Sequence, residues 1–224
     1  MNIQKDMFEV RRLKELPSRR RGELMLALEG LMAVDVHMRV DSFSRIMEMD
    51  AHRRSPLASG LLALRVKEPD LHLRARIVEC LADCLGASRE DVRPPESVQI
   101  IVRSVLSEMG EGEVRSLLRL IIRSDLLKEP VCIILDQCSL SGDILLEILA
   151  NHNNDIPLRV AAAEMIGMIG YIEAMSTVDS IEKRLMDRSD DQLSMAFAPR
   201  FSEEISILLP VLKRTLEELE EASV

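Results

Sequence analysis

Four cysteines and four histidines are the side chains of this 224-residue chain best suited to holding a metal or attacking a substrate. Cys80 and Cys84 are four residues apart, so on a helix they share a face. Cys132 and Cys138 are six apart, which does not align two side chains on one helical face. Two such pairs could contribute to a zinc site, but zinc pairs are usually tighter and come from turns. Cys80 and Cys84 also fall on an apolar stripe, where a thiol behaves as a small hydrophobe. The pattern predicts reduced, metal-free cysteines, with Cys80 and Cys84 in the core. His37 and His72 stand at equivalent places, two before Arg39 and Arg74, and read as exposed first-turn residues. A metal site would need further ligands at fixed spacing, and nothing supplies them. His52 lies beside Arg53 and Arg54, and His152 lies in a polar loop, neither with an evident partner. There is no phosphate-binding glycine loop and no nucleophile elbow. No catalytic residue, cofactor or metal is expected.

The elements that would position these residues follow a repeat. The pattern is an acid, two variable positions, an aliphatic residue or Met, then Arg. It occurs as Asp35 to Arg39, Asp70 to Arg74, Glu111 to Arg115 and Asp155 to Arg159. Seven residues after each Arg comes another aliphatic, Ile46, Leu81, Ile122 and Ile166, and these are expected in the core, with Met38 on the same apolar face of the first unit's leading helix. The Arg-to-Arg intervals are 35, 41 and 44 residues, a period typical of stacked helical arrays. Acid and Arg are four apart and can pair on one helix face. Alternatively, each Arg reaches an acid of the neighbouring unit and forms a ladder.

Composition agrees. Hydrophobic residues make up 47% of the chain and aromatics only 2%, so aliphatic and Met side chains must fill the core, as in helix-on-helix packing. The net charge of −9 argues against broad nucleic-acid binding, which needs a basic face. The charge is uneven. Residues 1–60 hold 11 Lys/Arg against 9 Asp/Glu, and the remainder 18 against 29. No signal peptide is legible in residues 1–10, and the apolar runs are too short to span a bilayer. A cytoplasmic location with no membrane partner is the expectation.

Taken in order, residues 3–15 predict a first helix ended by Pro17, and Ser18 caps a second that runs to about Val34. Residues 1–34 form a helical cap. Four units follow, at about 35–69, 70–110, 111–154 and 155–187. Gly86 ends the helix from Asp70, and Pro94-Pro95 opens the next. A broken or extra helix is expected over 125–150. Asp155 caps the fourth unit's first helix and Gly170 stops it. Residues 188–224 supply capping helices, one capped by Ser202 and kinked at Pro210, with an acidic tail. The whole reads as one continuous domain.

The run Pro157-Leu158-Arg159-Val160-Ala161-Ala162-Ala163-Glu164-Met165-Ile166-Gly167 resembles the first helix of a HEAT repeat. The Leu73-Arg74 and Val114-Arg115 units resemble it more weakly, and the Met38-Arg39 unit most weakly. The resemblance covers about residues 35–187. It implies an all-α, right-handed α-solenoid of antiparallel helix pairs, whose second helices line a concave face. Some proteins of this architecture are enzymes. Deoxyhypusine hydroxylases carry His-Glu iron ligands, but none of the four histidines here precedes Glu. HEAT-like alkylpurine DNA glycosylases use a basic aromatic channel, whereas this chain is acidic and lacks Trp.

The expected function is a non-catalytic protein-binding module, an adaptor or regulatory scaffold. The alternative is an enzyme subunit, or a lyase-like or chaperone-like protein, on the same scaffold. On the implied concave face the projecting residues would be Gln99, Arg103, Asp143, Glu147, Asp179, Glu182 and Lys183. Acids outnumber bases there, so the expected partner segment carries Lys or Arg. The alternative surface is the basic cluster Arg11, Arg12, Arg19, Arg20 and Arg21.

Overall fold

The computed structural model describes residues 18–86, 93–194 and 203–223. Among them the regular structure is entirely helical. The first helix of the sequence reading, over 3–15, Arg11, Arg12 and the Ser202 cap lie outside the described residues. The chain divides between Leu106 and Ser107 into two compact units.

The first unit contains α1 (Ser18–Leu31), α2 (Val36–Glu48), the short α3 (Ala51–Arg54), α4 (Pro56–Leu64), α5 (Leu71–Leu85) and α6 (Glu96–Leu106). Local chemistry sets the helix starts. The Asp35 carboxylate accepts from the His37 N–H, and Asp70 accepts from Leu73. Ser55 accepts from Ala58, with Pro56 in the first turn of α4. α1 packs on α2, and α4 packs on α6. The core of this unit gathers Phe43, Ile46, Leu62, Leu73, Ile77, Leu81, Val98 and Val102.

The second unit contains α7 (Glu111–Ile121), a 3-10 turn at Asp125–Leu127, α8 (Lys128–Leu135), α9 (Ser141–Ala150), α10 (Ile156–Ile169), a 3-10 turn at Ile172–Ala174, α11 (Met175–Ser194) and α12 (Glu203–Ala222). The extra helix expected over 125–150 is present as α8, and Pro130 sits in its first turn rather than interrupting it. α10 is the hub: it packs against α7, α8, α9 and α12. Its small side chains, Ala161, Ala162, Ala163 and Gly167, allow neighbours to approach closely. It is apolar nearly all round, as a surrounded helix must be. The Thr215 hydroxyl donates to the Ala163 carbonyl at 3.0 Å, tying α12 to α10. Gly170, at φ 66°, closes α10 in the left-handed conformation that glycine tolerates. α11 runs through the position where the sequence reading separated the fourth unit from the C-terminal cap.

Two assignments are corrected. Ile122 is 42% exposed and follows the end of α7, whereas Ile121 is 3% exposed. The reason is the cap. α7 is capped by Gly110, whose N–H donates to the Glu113 carboxylate, so the cap of the third helix stands one residue before the acid of the pattern. Counted from the N-caps Asp35, Asp70, Gly110 and Asp155, the eleventh residue is Ile46, Leu81, Ile121 and Ile166, and all four are buried. The eighth is Phe43, Val78, Leu118 and Ala163, also buried. Met38, placed on the apolar face by the sequence reading, is exposed, as are Leu26 of α1 and Met32, which follows it.

Candidate interaction surface

The arginine of the repeat is buried in three of the four units, and there it does a common job. It binds backbone carbonyls just before its own helix. Arg39 Nη1 donates to the Ala33 and Val34 carbonyls, following α1. Arg74 Nε donates to the Glu68 carbonyl at 2.6 Å, following α4. Arg159 Nε donates to the Leu149 carbonyl at 2.8 Å, in the last turn of α9. Helix ends leave carbonyls unsatisfied, and a buried cation suits them. Each arginine is the fourth residue after its N-cap. In the third unit the fourth residue after Gly110 is the buried Val114, and Arg115 is displaced toward solvent.

Of the acids of the pattern, Asp35 and Asp70 accept cap bonds, while Asp155 stands at the N-cap without a side-chain cap bond. Arg115 alone of the four takes its own acid, with Nε 2.6 Å from Glu111 and Nη1 3.1 Å from Asn154. Arg39 pairs instead with Glu68, fully buried, through Nε and Nη2. Arg65 also binds Glu68, and the Asp70 N–H donates to it. Burial pushes the Glu68 carboxyl up, but Arg39, the Asp70 N–H and Arg65 outweigh it and hold it below the usual range. Arg159 pairs with Glu204 of α12 at 2.6 Å, and Arg188 of α11 joins at 3.2 Å. Glu204 likewise sits below the usual range, since these two cations outweigh its burial. His152 Nδ1 lies 3.7 Å from Glu204.

The residues suited to metal or nucleophilic chemistry do not assemble a site. Among the described residues no group of three or more His, Cys, Asp or Glu side chains is arranged to hold a metal ion. The four cysteines are free thiols. Cys80, Cys84 and Cys138 are buried, and Cys132 is half-buried. Cys84 donates to the His52 carbonyl and Cys138 to the Met109 carbonyl. Burial raises the Cys132 and Cys138 thiols, which keeps them from the reactive thiolate. His37 and His72 are exposed, as expected. His52 is buried with Nδ1 unpartnered, and burial lowers its basicity despite Asp50.

Of the residues expected to face a partner, the first unit places Arg103 in solvent and half-buries Gln99, whose amide donates to the Pro94 carbonyl. In the second unit Glu147 and Lys183 are exposed, and Lys183 is paired with Asp179 at 2.8 Å. Asp143 is exposed but accepts from the Tyr171 hydroxyl at 2.6 Å, a bond that pushes the phenol up to about 12. Glu182 does not project. It is buried, at 9% exposure, on the side of α11 that carries Ile181 and Leu185. Of the basic cluster, Arg19, Arg20 and Arg21 lie in the first turn of α1, and the Arg21 side chain is half-buried.

What sequence reading missed is that Met25, Leu26, Met32, Val34 and Met38, in and between α1 and α2, are all exposed. The signal was in hand: α1 carries more apolar residues than one face can bury.

These features define an all-helical protein in which three of the four repeated leading helices bury an arginine four residues after the N-cap. No protein-family model matches the chain, and neither the curated proteins nor the solved structures contain a significant match. Among the described residues no helix is long and apolar enough to cross a membrane.

Proposed function

We propose that the chain is a HEAT-like repeat module that binds another protein without catalysing a reaction, acting as an adaptor or regulatory scaffold. The observation that carries this reading is the recurrence of one helix design four times. Each leading helix buries the fourth, eighth and eleventh residues after its N-cap. Repeats of this kind cannot bury their apolar faces alone and stack, which leaves long surfaces free for a partner. The exposed acids of the second unit favour a partner segment carrying Lys or Arg.

The test is purification of the tagged chain from its native source, followed by association kinetics with whatever binds stoichiometrically. Glu147→Lys with Asp179→Lys is expected to slow association about tenfold at low salt, with the gap closing as salt rises. Glu182 is left alone because reversing a buried carboxylate tests folding instead. A chain that elutes with no stoichiometric protein, or a partner indifferent to both reversals and to salt, overturns the reading.

A further inference from the structure

Three inward-lying glutamates each hold two cations. Glu68 takes Arg39 and Arg65, Glu164 takes Lys128 and Arg214, and Glu204 takes Arg159 and Arg188. Glu182 of α11 departs from this pattern. It is 9% exposed, and among the described residues no hydrogen bond or ion pair reaches its carboxylate. Lys183, its neighbour in sequence, is held by Asp179 at 2.8 Å. Arg188 lies about a third of a turn round α11 from Glu182 and serves Glu204.

A carboxylate drawn out of water without a partner costs stability. No cation of the fold is placed to offset that cost as the arginines do for Glu68 and Glu204. Both Glu182 oxygens keep some contact with solvent, so an incoming group can reach them. The neighbours on α11 suit an arginine. Asp179 stands one turn before Glu182 and Met186 one turn after, at i−3 and i+4, so the three share one side of the helix. Asp179 adds a second negative charge. Met186 is 39% exposed and offers a thioether to the methylenes of a long cationic side chain. A guanidinium is planar, weakly hydrated and able to bond both oxygens of a carboxylate at once. It therefore suits a site with little room for water better than an ammonium does.

We propose that Glu182 is the anchor at which a partner protein inserts an arginine, with Asp179 and Met186 flanking it. This rests on the interaction reading and names the residue and the partner side chain that carry it. A pair formed there is less screened by salt than one between exposed charges.

The experiment uses the full chain and three labelled peptides of equal length: oligo-arginine, oligo-lysine and uncharged oligo-citrulline. Fluorescence anisotropy should show oligo-arginine bound more tightly than oligo-lysine, and oligo-citrulline unbound. Glu182→Gln should weaken oligo-arginine about tenfold, and the loss should persist at high salt. Glu217→Gln, which removes an exposed acid of α12, should change binding by less than about twofold. Glu182→Gln should melt at or above wild type, because it removes a charge that the fold leaves unpaired. Equal weakening by the two glutamine variants, or a Glu182→Gln effect that vanishes with salt, would reduce binding to diffuse attraction by an acidic chain and overturn the proposal. So would a clear drop in the Glu182→Gln melt, which would reveal a partner inside the fold. Oligo-lysine binding as tightly as oligo-arginine would overturn the choice of arginine. If Glu147→Lys with Asp179→Lys weakens the peptide while Glu182→Gln binds as wild type, the anchor is wrong and the interaction reading stands. A missing native partner would count against that reading and leave the peptide comparison intact.

Discussion

Arg39 and Glu68 meet 29 residues apart in sequence, the guanidinium giving two nitrogens to one carboxylate that has no exposed surface. Arg65 and the Asp70 N–H complete the carboxylate's partners, and Arg74 holds the Glu68 backbone carbonyl. One residue thus fixes the link between α4 and α5. Removing one side of a buried pair leaves the other charged and unpartnered, which typically costs about 3–5 kcal/mol. Glu68→Ala should lose that much in urea unfolding, and Arg39→Met with Glu68→Leu should lose less than Glu68→Ala alone. A Glu68→Ala loss below about 1 kcal/mol, the scale of an exposed pair, would show that the pair is solvated.

The cap-based register of the third unit makes a paired prediction. Ile121→Ala should cost about 2–5 kcal/mol, as should Leu81→Ala and Ile166→Ala, while Ile122→Ala should cost well under that. Equal losses at 121 and 122 in chemical denaturation would place the face of α7 wrongly.

Two glycines should respond differently to alanine. A Cβ at Gly142 would sit 2.5 Å from the Tyr171 ring, a rigid neighbour tied to Asp143. Gly142→Ala should therefore destabilise by about 1–3 kcal/mol through overpacking. A Cβ at Gly167 meets first the carboxylate end of Glu218, half-exposed and able to swing away. Gly167→Ala should be near neutral, the helix propensity of Ala offsetting the shift. Thermal melts of the two variants decide, and a larger loss at 167 would refute the contrast.

Stability should fall in two steps as pH drops. His52 has a lowered pKa in the fold, so the unfolded chain takes its proton first. Stability tied to His52 is full above about pH 6.5 and declines below it until the folded pKa is reached. Glu68 and Glu204 are also lowered, and their contribution is full above about pH 4.5 and lost as pH falls through their folded pKa values. His52→Asn should remove the first decline and leave the second. Urea midpoints measured from pH 8 to 3 would show it, and a decline near pH 6 that survives in His52→Asn would assign it elsewhere.

All four thiols should react with a thiol reagent once the chain is unfolded without reductant. In the native state Cys80, Cys84 and Cys138 should lag behind Cys132, which is half-buried. Fewer than four thiols on unfolding would reveal a disulfide.

The helices were legible because their punctuation is local. Asp35, Asp70, Gly86 and Gly170 each act within a turn of where they stand. The third start was misplaced by one residue because its cap is Gly110, which has no side chain to announce it, while Glu111 mimics the acid seen elsewhere. That slip alone put Ile122 in the core. The partners of Arg39 and Arg159 were illegible for another reason. Glu68 and Glu204 lie 29 and 45 residues away, where spacing carries no information. Glu182 looked like a surface residue because glutamate usually is one, and only the packing of α11 reveals otherwise.

The buried arginines also determine where this chain tolerates insertions. Each joins the end of one helix to the start of the next, and so pins both ends of the loop between them. Residues added inside such a loop, as at 151–154 between α9 and the Asp155 cap, leave both helices in place. A residue added between Asp70 and Arg74 would rotate the guanidinium by about 100° and release the Glu68 carbonyl. Arg115 shows the outcome of such a slip. One position out of step with its cap, it has left the interior for Glu111 and Asn154, and an aliphatic side chain, Val114, has taken its place.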